Sequence, residues 1–152
     1  MATGNDSVAK YCGCTATVVL INATHIYCAN AGDSRSVLGR SSGAEMCFPL
    51  SDDHKPDNPS EKARIEAAGG FVEENRVNGS LNLSRSLGDF DYKGGDMAYT
   101  DMMVTCDPEV RTVARQATDQ FIILACDGIW DCLTSEECVS QTRDALSALR
   151  ED

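Results

Sequence analysis

With 152 residues, 42% of them hydrophobic and 24% charged, the chain is long enough for one domain with a real core. Its 24 acidic against 13 basic residues leave a net charge of −11. That balance excludes a nucleic-acid partner, since no basic patch exists to neutralise phosphates, and it suits either a site that gathers divalent cations or simple solubility.

Taken in chain order, Cys14 to Ile21 is rich in β-branched residues and predicts a strand. Asn22-Ala23-Thr24 is a short turn, and His25 to Ala31 returns as the second arm of a hairpin. Arg35 to Arg40 and Glu45 to Leu50 form a second pair around Ser41-Ser42-Gly43. Asn58-Pro59-Ser60-Glu61 is a helix start: Asn58 can cap, Pro59 suits the first helical position, and Glu61 completes a capping box. This helix should end near Ala68, before Gly69-Gly70. Phe71 to Gly95 reads as irregular, a surface flap within a segment of about residues 51–100.

Val110 to Arg115 and Gln120 to Cys126 are further strands, the latter apolar enough for burial on both faces. Thr134-Ser135-Glu136-Glu137 is a second capping box. It opens a helix that gathers Cys138, Val139, Thr142, Ala145, Leu146 and Leu149 on one face. Adjacent strands with few helices between them point to an antiparallel sheet.

Phe121 to Cys126 is also the longest apolar run, far short of a membrane span, so no membrane partner is expected. The first six residues lack a basic and an apolar region, so no secretory signal is visible, and an intracellular location, cytoplasm and/or nucleus, follows. The eight cysteines contain no C-x-x-C pair and mostly sit among apolar neighbours, which reads as free thiols acting as small hydrophobes. Cys106 followed by Arg111 keeps half of a Cys-x5-Arg phosphate loop, but Asp107, Pro108 and Glu109 are ill suited to cradle an anion.

The sharpest signal is Cys126-Asp127-Gly128-Ile129-Trp130-Asp131. An aspartate ending an apolar strand is costly unless its charge meets a cation or several donors. Asp127 and Asp131 therefore read either as ligands of a hard metal ion or as caps of the next helix. Asn30-Ala31-Gly32-Asp33-Ser34-Arg35 sets another aspartate after an apolar strand. Asp53-His54-Lys55-Pro56 and Leu83-Ser84-Arg85-Ser86-Leu87-Gly88-Asp89 complete the set. Trp130 reads as core packing, and Lys55 and Lys62 as surface charges.

In their order along the chain, the motifs resemble the metal-dependent serine/threonine protein phosphatases of type 2C, from about Gly13 to Glu137. The family's amino-terminal Arg/Glu/Asp-bearing strand, its Asp-Gly-His-Gly-Gly-like turn and its late Asp-Asn motif have no counterpart in this chain, which looks like the middle of a phosphatase domain. The resemblance implies a single partial domain over 1–152, an α+β fold with an incomplete antiparallel β-sandwich flanked by helices (αββα). It implies Mg²⁺ or Mn²⁺ as cofactor and phosphoprotein substrates, hydrolysed at phosphoserine or phosphothreonine by a metal-activated water once the domain is complete. Asp127 is carried over as a ligand of the binuclear centre, and Asp33 and Asp131 as ligands, with Asp127, of a weaker third site.

No catalytic residue is assigned within this segment. Arg85 could approach a phosphate or pin the flap to the core. Asp89 could bond backbone donors of its own loop, and His54 could organise the flap. Arg35 could pair with a core carboxylate or touch substrate. The alternatives to an enzyme are a truncated, non-catalytic binding or regulatory module and a structural subunit.

Overall fold

The computed structural model describes residues 10–43 and 45–149. The chain divides into two compact units. One takes the residues up to Ala16, Asn30–Asp33 and Asp53–Glu109; the other takes Thr17–Ala29, Ser34–Asp52 and everything from Val110. Antiparallel strands and helices mix in an α+β fold.

The second unit holds two three-stranded sheets. In one, β2 (Ala16–Ile21), β3 (His25–Ala31) and β9 (Glu109–Ala114) are neighbours in that order. The Asn22 side chain builds the expected turn, its Oδ1 accepting from the backbone N–H groups of Thr24 at 2.8 Å and His25 at 2.7 Å. In the other, β4 (Arg35–Arg40) lies between β10 (Asp119–Ala125) and β5 (Cys47–Pro49), antiparallel to both. Alternation along β3 buries Ile26 and Cys28, which join Leu38 and Leu50 in one apolar cluster. Val19, Val113, Ile122 and Phe48 pack against it, so both sheets contribute.

The strand buried on both faces is β4, not β10 as its composition suggests. Leu38 points into the first cluster, while Val37 packs with Trp130, Cys138 and Val139 of a second. β10 is an edge strand, and Leu124 is left 45% exposed. An apolar run records affinity for a core but not a strand's place in the sheet. Two helices follow β10: α2 (Asp127–Trp130) and α3 (Ser135–Ala148). Thr134 and Glu137 close the predicted capping box on α3. Only the first part of its apolar face is covered: Cys138 and Val139 are buried, whereas Leu149 is 73% exposed.

In the first unit, α1 spans Pro59–Ala67 and ends as expected. Gly69, in the left-handed region at φ +84°, lets its own N–H reach Glu66 O and the next N–H reach Ile65 O. Its start differs. Asn58 makes no side-chain cap and donates instead to Asp53 O at 2.8 Å. Glu61 is turned inward, because two guanidinium groups outcompete a single backbone N–H for its carboxylate.

The predicted flap is more ordered and more buried than its glycines suggest. β6 (Val72–Glu73) and β7 (Arg76–Val77) form a hairpin whose turn residues Glu74 and Asn75 have φ +49° and +57°. Val77 packs with Ile65 and Val104 in the unit's own core. β1 (Gly13–Cys14) pairs with β8 (Leu87–Gly88). All eight cysteines lie among the described residues, and all are free.

Candidate functional site

Within the first unit, the residues singled out by sequence fall into one polar network. Glu61, 1% exposed, sits at its centre. Arg85 donates to both of its oxygens, with NH2 2.6 Å from Oε1, and Arg64 lies 2.8 Å from Oε2. The Ser84 hydroxyl is 2.7 Å from Oε2 and 2.9 Å from His54 O. Burial raises the carboxyl's pKa, but Arg85, Arg64 and Ser84 more than reverse this and bring it down to about 2. Arg85 also donates to Asp107 O at 3.0 Å. These contacts hold its guanidinium against Glu61 and the Asp107 backbone.

His54 is buried and clamps the turn before Asp33. Its backbone N–H donates to Gly32 O at 3.0 Å, while the Gly32 N–H donates to its Nδ1 at 3.2 Å. The neutral ring therefore carries its proton on Nε2, 3.5 Å from Glu109 Oε2. Burial, then the charge of Arg85, holds its pKa below the usual histidine value. Gly32 has φ +115°, and a Cβ there would stand 2.3 Å from Thr15 Cγ2, so no other residue fits this turn. Asp33 follows, 4% exposed, with its Oδ2 receiving the Lys55 ammonium at 2.5 Å. Lys55 is thus the counter-ion of a buried carboxylate and not a free surface charge. Asp89, in the left-handed region at φ +51°, accepts from the Ser86 side chain, Oγ at 2.6 Å, where backbone donors of the loop were expected.

The second unit handles its carboxylates differently. Asp127 opens α2, and Asp131 closes it with its N–H bonded to Asp127 O at 2.7 Å. Both side chains are exposed, and neither has a protein partner among the described residues. Trp130 anchors the turn from below: it is 9% exposed and donates from Nε1 to Ala125 O at 2.7 Å. The Arg35 guanidinium stacks over its ring at 5.2 Å and donates to Ser135 Oγ at 3.0 Å. Arg35, Trp130, Asp131, Glu136 and Glu137 line one polar depression of about 380 Å³. A separate cavity of about 400 Å³, lined by Val19, Ile21, Leu38, Phe121 and Leu124, includes none of the singled-out residues.

The ligand set implied by the resemblance, Asp127, Asp33 and Asp131, is divided between the units, Asp33 in the first and the other two in the second. Among the described residues, no group of three or more His, Cys, Asp or Glu side chains is placed to hold a metal ion. Asp127 and Asp131 nevertheless suit a hard divalent cation, being two uncommitted oxygen donors at the ends of one anchored turn. Glu61, Ser84 and Lys55 are the functional neighbours that sequence reasoning missed. Only Arg64, three residues beyond Glu61, offered a signal, as a helical ion-pair spacing.

The protein-family profile "Protein phosphatase 2C" matches residues 1–151. Protein phosphatase 2C homolog 3 of Schizosaccharomyces pombe is 52% identical over 136 residues, which cover 90% of this chain and 32% of the relative. Probable protein phosphatase 2C 21 of Arabidopsis thaliana is 45% identical over 145 residues, 95% of this chain and 40% of the relative. The chain thus spans about a third to two fifths of the length of these relatives. Among solved structures, serine-threonine phosphatase 2C from Toxoplasma gondii superposes with a TM-score of 0.74 at 28% identity, covering 90% of this chain and 49% of that one. Among the described residues, no helix is long and apolar enough to cross a membrane.

Proposed function

Because this chain belongs to the protein phosphatase 2C family, we propose that it forms part of a domain that hydrolyses phosphoserine and phosphothreonine in proteins with Mg²⁺ or Mn²⁺. The observation that carries the reading is the α2 turn, where Asp127 and Asp131 are exposed and uncommitted while Trp130 fixes the backbone between them. Asp127, Asp131 and Asp33 are the residues that would hold cations. A bound divalent ion supplies a water acidified towards neutral pH and an offset for charge on the phosphoryl oxygens.

What the chain itself contributes is placement. The indole N–H of Trp130 ties the turn to the end of β10, and the Arg35 guanidinium, stacked on the indole, sets a positive charge on the depression that Asp131 lines. The fold expected of the complete domain is an αββα sandwich, supported by the shared core of the two sheets and by α3 packed on β4. Eight free thiols support an intracellular site of action. A non-catalytic binding module is the second reading, favoured by the absence of a three-ligand cluster among the described residues.

The test is a chimera in which this chain replaces the matching segment of a full-length relative. It should hydrolyse a phosphothreonine peptide with Mn²⁺, and Asp127→Asn should lower kcat/KM by roughly 100-fold or more, whereas the isolated chain should turn over poorly. A folded, Mn²⁺-binding chimera without activity would favour the binding module.

A further inference from the structure

We propose that a cavity between α3 and the Arg40–Asp119 end of the β4–β10 pair binds phosphate, free or carried on a side chain, through the Arg143 guanidinium. The cavity, about 150 Å³, is lined by Ser41, Gln120, Phe121, Arg143, Leu146 and Ser147, all in the second unit. It shares no lining residue with the depression beside Asp131, so it stands apart from the cation reading. Arg143 is partly buried, and its charge lacks a counter-ion. Its Nη2 donates to Arg40 O at 2.9 Å, its Nε is buried with no acceptor, and among the described residues no carboxylate pairs with it. Arg40, Arg64 and Arg85, by contrast, each hold a carboxylate. Withdrawing a guanidinium from water without an anion is costly, and its fork of donors matches phosphate oxygens.

The rest of the lining suits the same ligand. It carries no carboxylate, and Ser41, Ser147 and Gln120 are neutral hydrogen-bonding groups. β10 breaks register between Asp119 and Phe121, which leaves Gln120 without a partner residue in β4. A bulge of this kind re-aims a side chain, and the Gln120 amide bonds no protein group among the described residues. The Ser41 hydroxyl makes only a long bond, 3.4 Å, to Thr118 O. Ser147 Oγ, which donates to Arg143 O at 2.9 Å, is left to accept from a protonated phosphate oxygen. On the other side of Arg143, Glu45 and Glu136 border a second cavity without pairing with it. The net charge of −11 opposes anions at long range, but salt screens that repulsion beyond about 10 Å at 0.1 M. Bound phosphate would tie Arg143 on α3 to Ser41 and Gln120 at the end of the sheet.

Isothermal titration and thermal melts of the intact chain, without divalent metal, test this. The probes are sodium phosphate, a phosphoserine peptide, sodium acetate and sodium chloride at matched ionic strength. Phosphate should bind and raise the melting temperature, whereas acetate and chloride should not. Arg143→Gln should weaken phosphate binding roughly 10-fold or more. If that variant does not fold, Gln120→Glu, which keeps Arg143 and sets a carboxylate in the lining, should weaken it likewise. Binding of free phosphate identifies the ion itself as ligand, and binding of the peptide alone assigns the group to a phosphorylated side chain. Either supports the site when the variant weakens it. A wild type that responds no more to phosphate or the peptide than to acetate or chloride would overturn the proposal, as would equal binding by wild type and the folded variant.

Discussion

Glu61 and Asp127 are both carboxylates in the first turn of a helix, and the chain treats them in opposite ways. Glu61 is sealed in the first unit and saturated by Arg85, Arg64 and Ser84. Asp127 is exposed on the second, with Asp131 at the far end of a four-residue helix and, among the described residues, no protein group bonded to either side chain. The first arrangement spends its charges internally and leaves none for chemistry. The second keeps carboxylate oxygens available by holding the backbone, through Trp130, and not the side chains. The first arrangement is structural; the second is the one on which the proposed cation site rests.

Glu61→Ala should have the largest consequence. It strands two guanidinium groups in a buried setting, and the loss should be about 3–5 kcal/mol in urea denaturation. A loss under about 1 kcal/mol would mean the network is not what holds the first unit together.

Trp130→Phe sharpens the other side. It deletes the indole N–H bond to Ala125 O and weakens the stack with Arg35, for a loss of about 1–2 kcal/mol. Because the turn then loosens, Mn²⁺ should also stabilise the variant less than wild type in thermal melts. An unchanged metal response would show that the anchor is dispensable.

Acid separates two groups of the first unit by their windows. His54 titrates lower in the fold than its ordinary 6.5, so it takes up a proton more readily when unfolded. Its effect is absent above pH 6.5, and stability falls as pH drops below that value, by at most about 1.4 kcal/mol per pH unit. Glu61, at about 2 against 4.5, contributes stability that is present above pH 4.5 and is lost as pH falls towards 2. Urea midpoints followed from pH 8 to 4.5 should therefore decline below 6.5 in wild type and remain flatter in His54→Gln. Equal slopes would assign the decline to other groups.

Much of this was legible in the sequence, for local reasons. The Asn22 turn, the Thr134 capping box and the Gly69 helix stop are each decided within a few residues, and each forms as its residues dictate. The Asp127 turn was legible because a charge at the end of an apolar strand is conspicuous. Glu61 was misread because a capping box and a buried ion pair look alike until Arg85, distant in sequence, is seen beside it. Lys55 was misread for the same reason. β10 was read as buried on both faces because apolar composition does not distinguish an edge strand whose side chains reach two clusters from a fully buried one.

The central claim, that the α2 turn and not the Glu61 network holds the cation, is tested most directly by melting temperature against Mn²⁺ concentration in wild type and Asp131→Asn. Without metal, an exposed substitution that keeps side-chain size should leave stability within about 0.5 kcal/mol. With Mn²⁺ in 100-fold excess over its dissociation constant, wild type should gain about 2.7 kcal/mol. Asp131→Asn should gain clearly less at the same concentration. Superimposable metal responses of the two proteins would contradict the account.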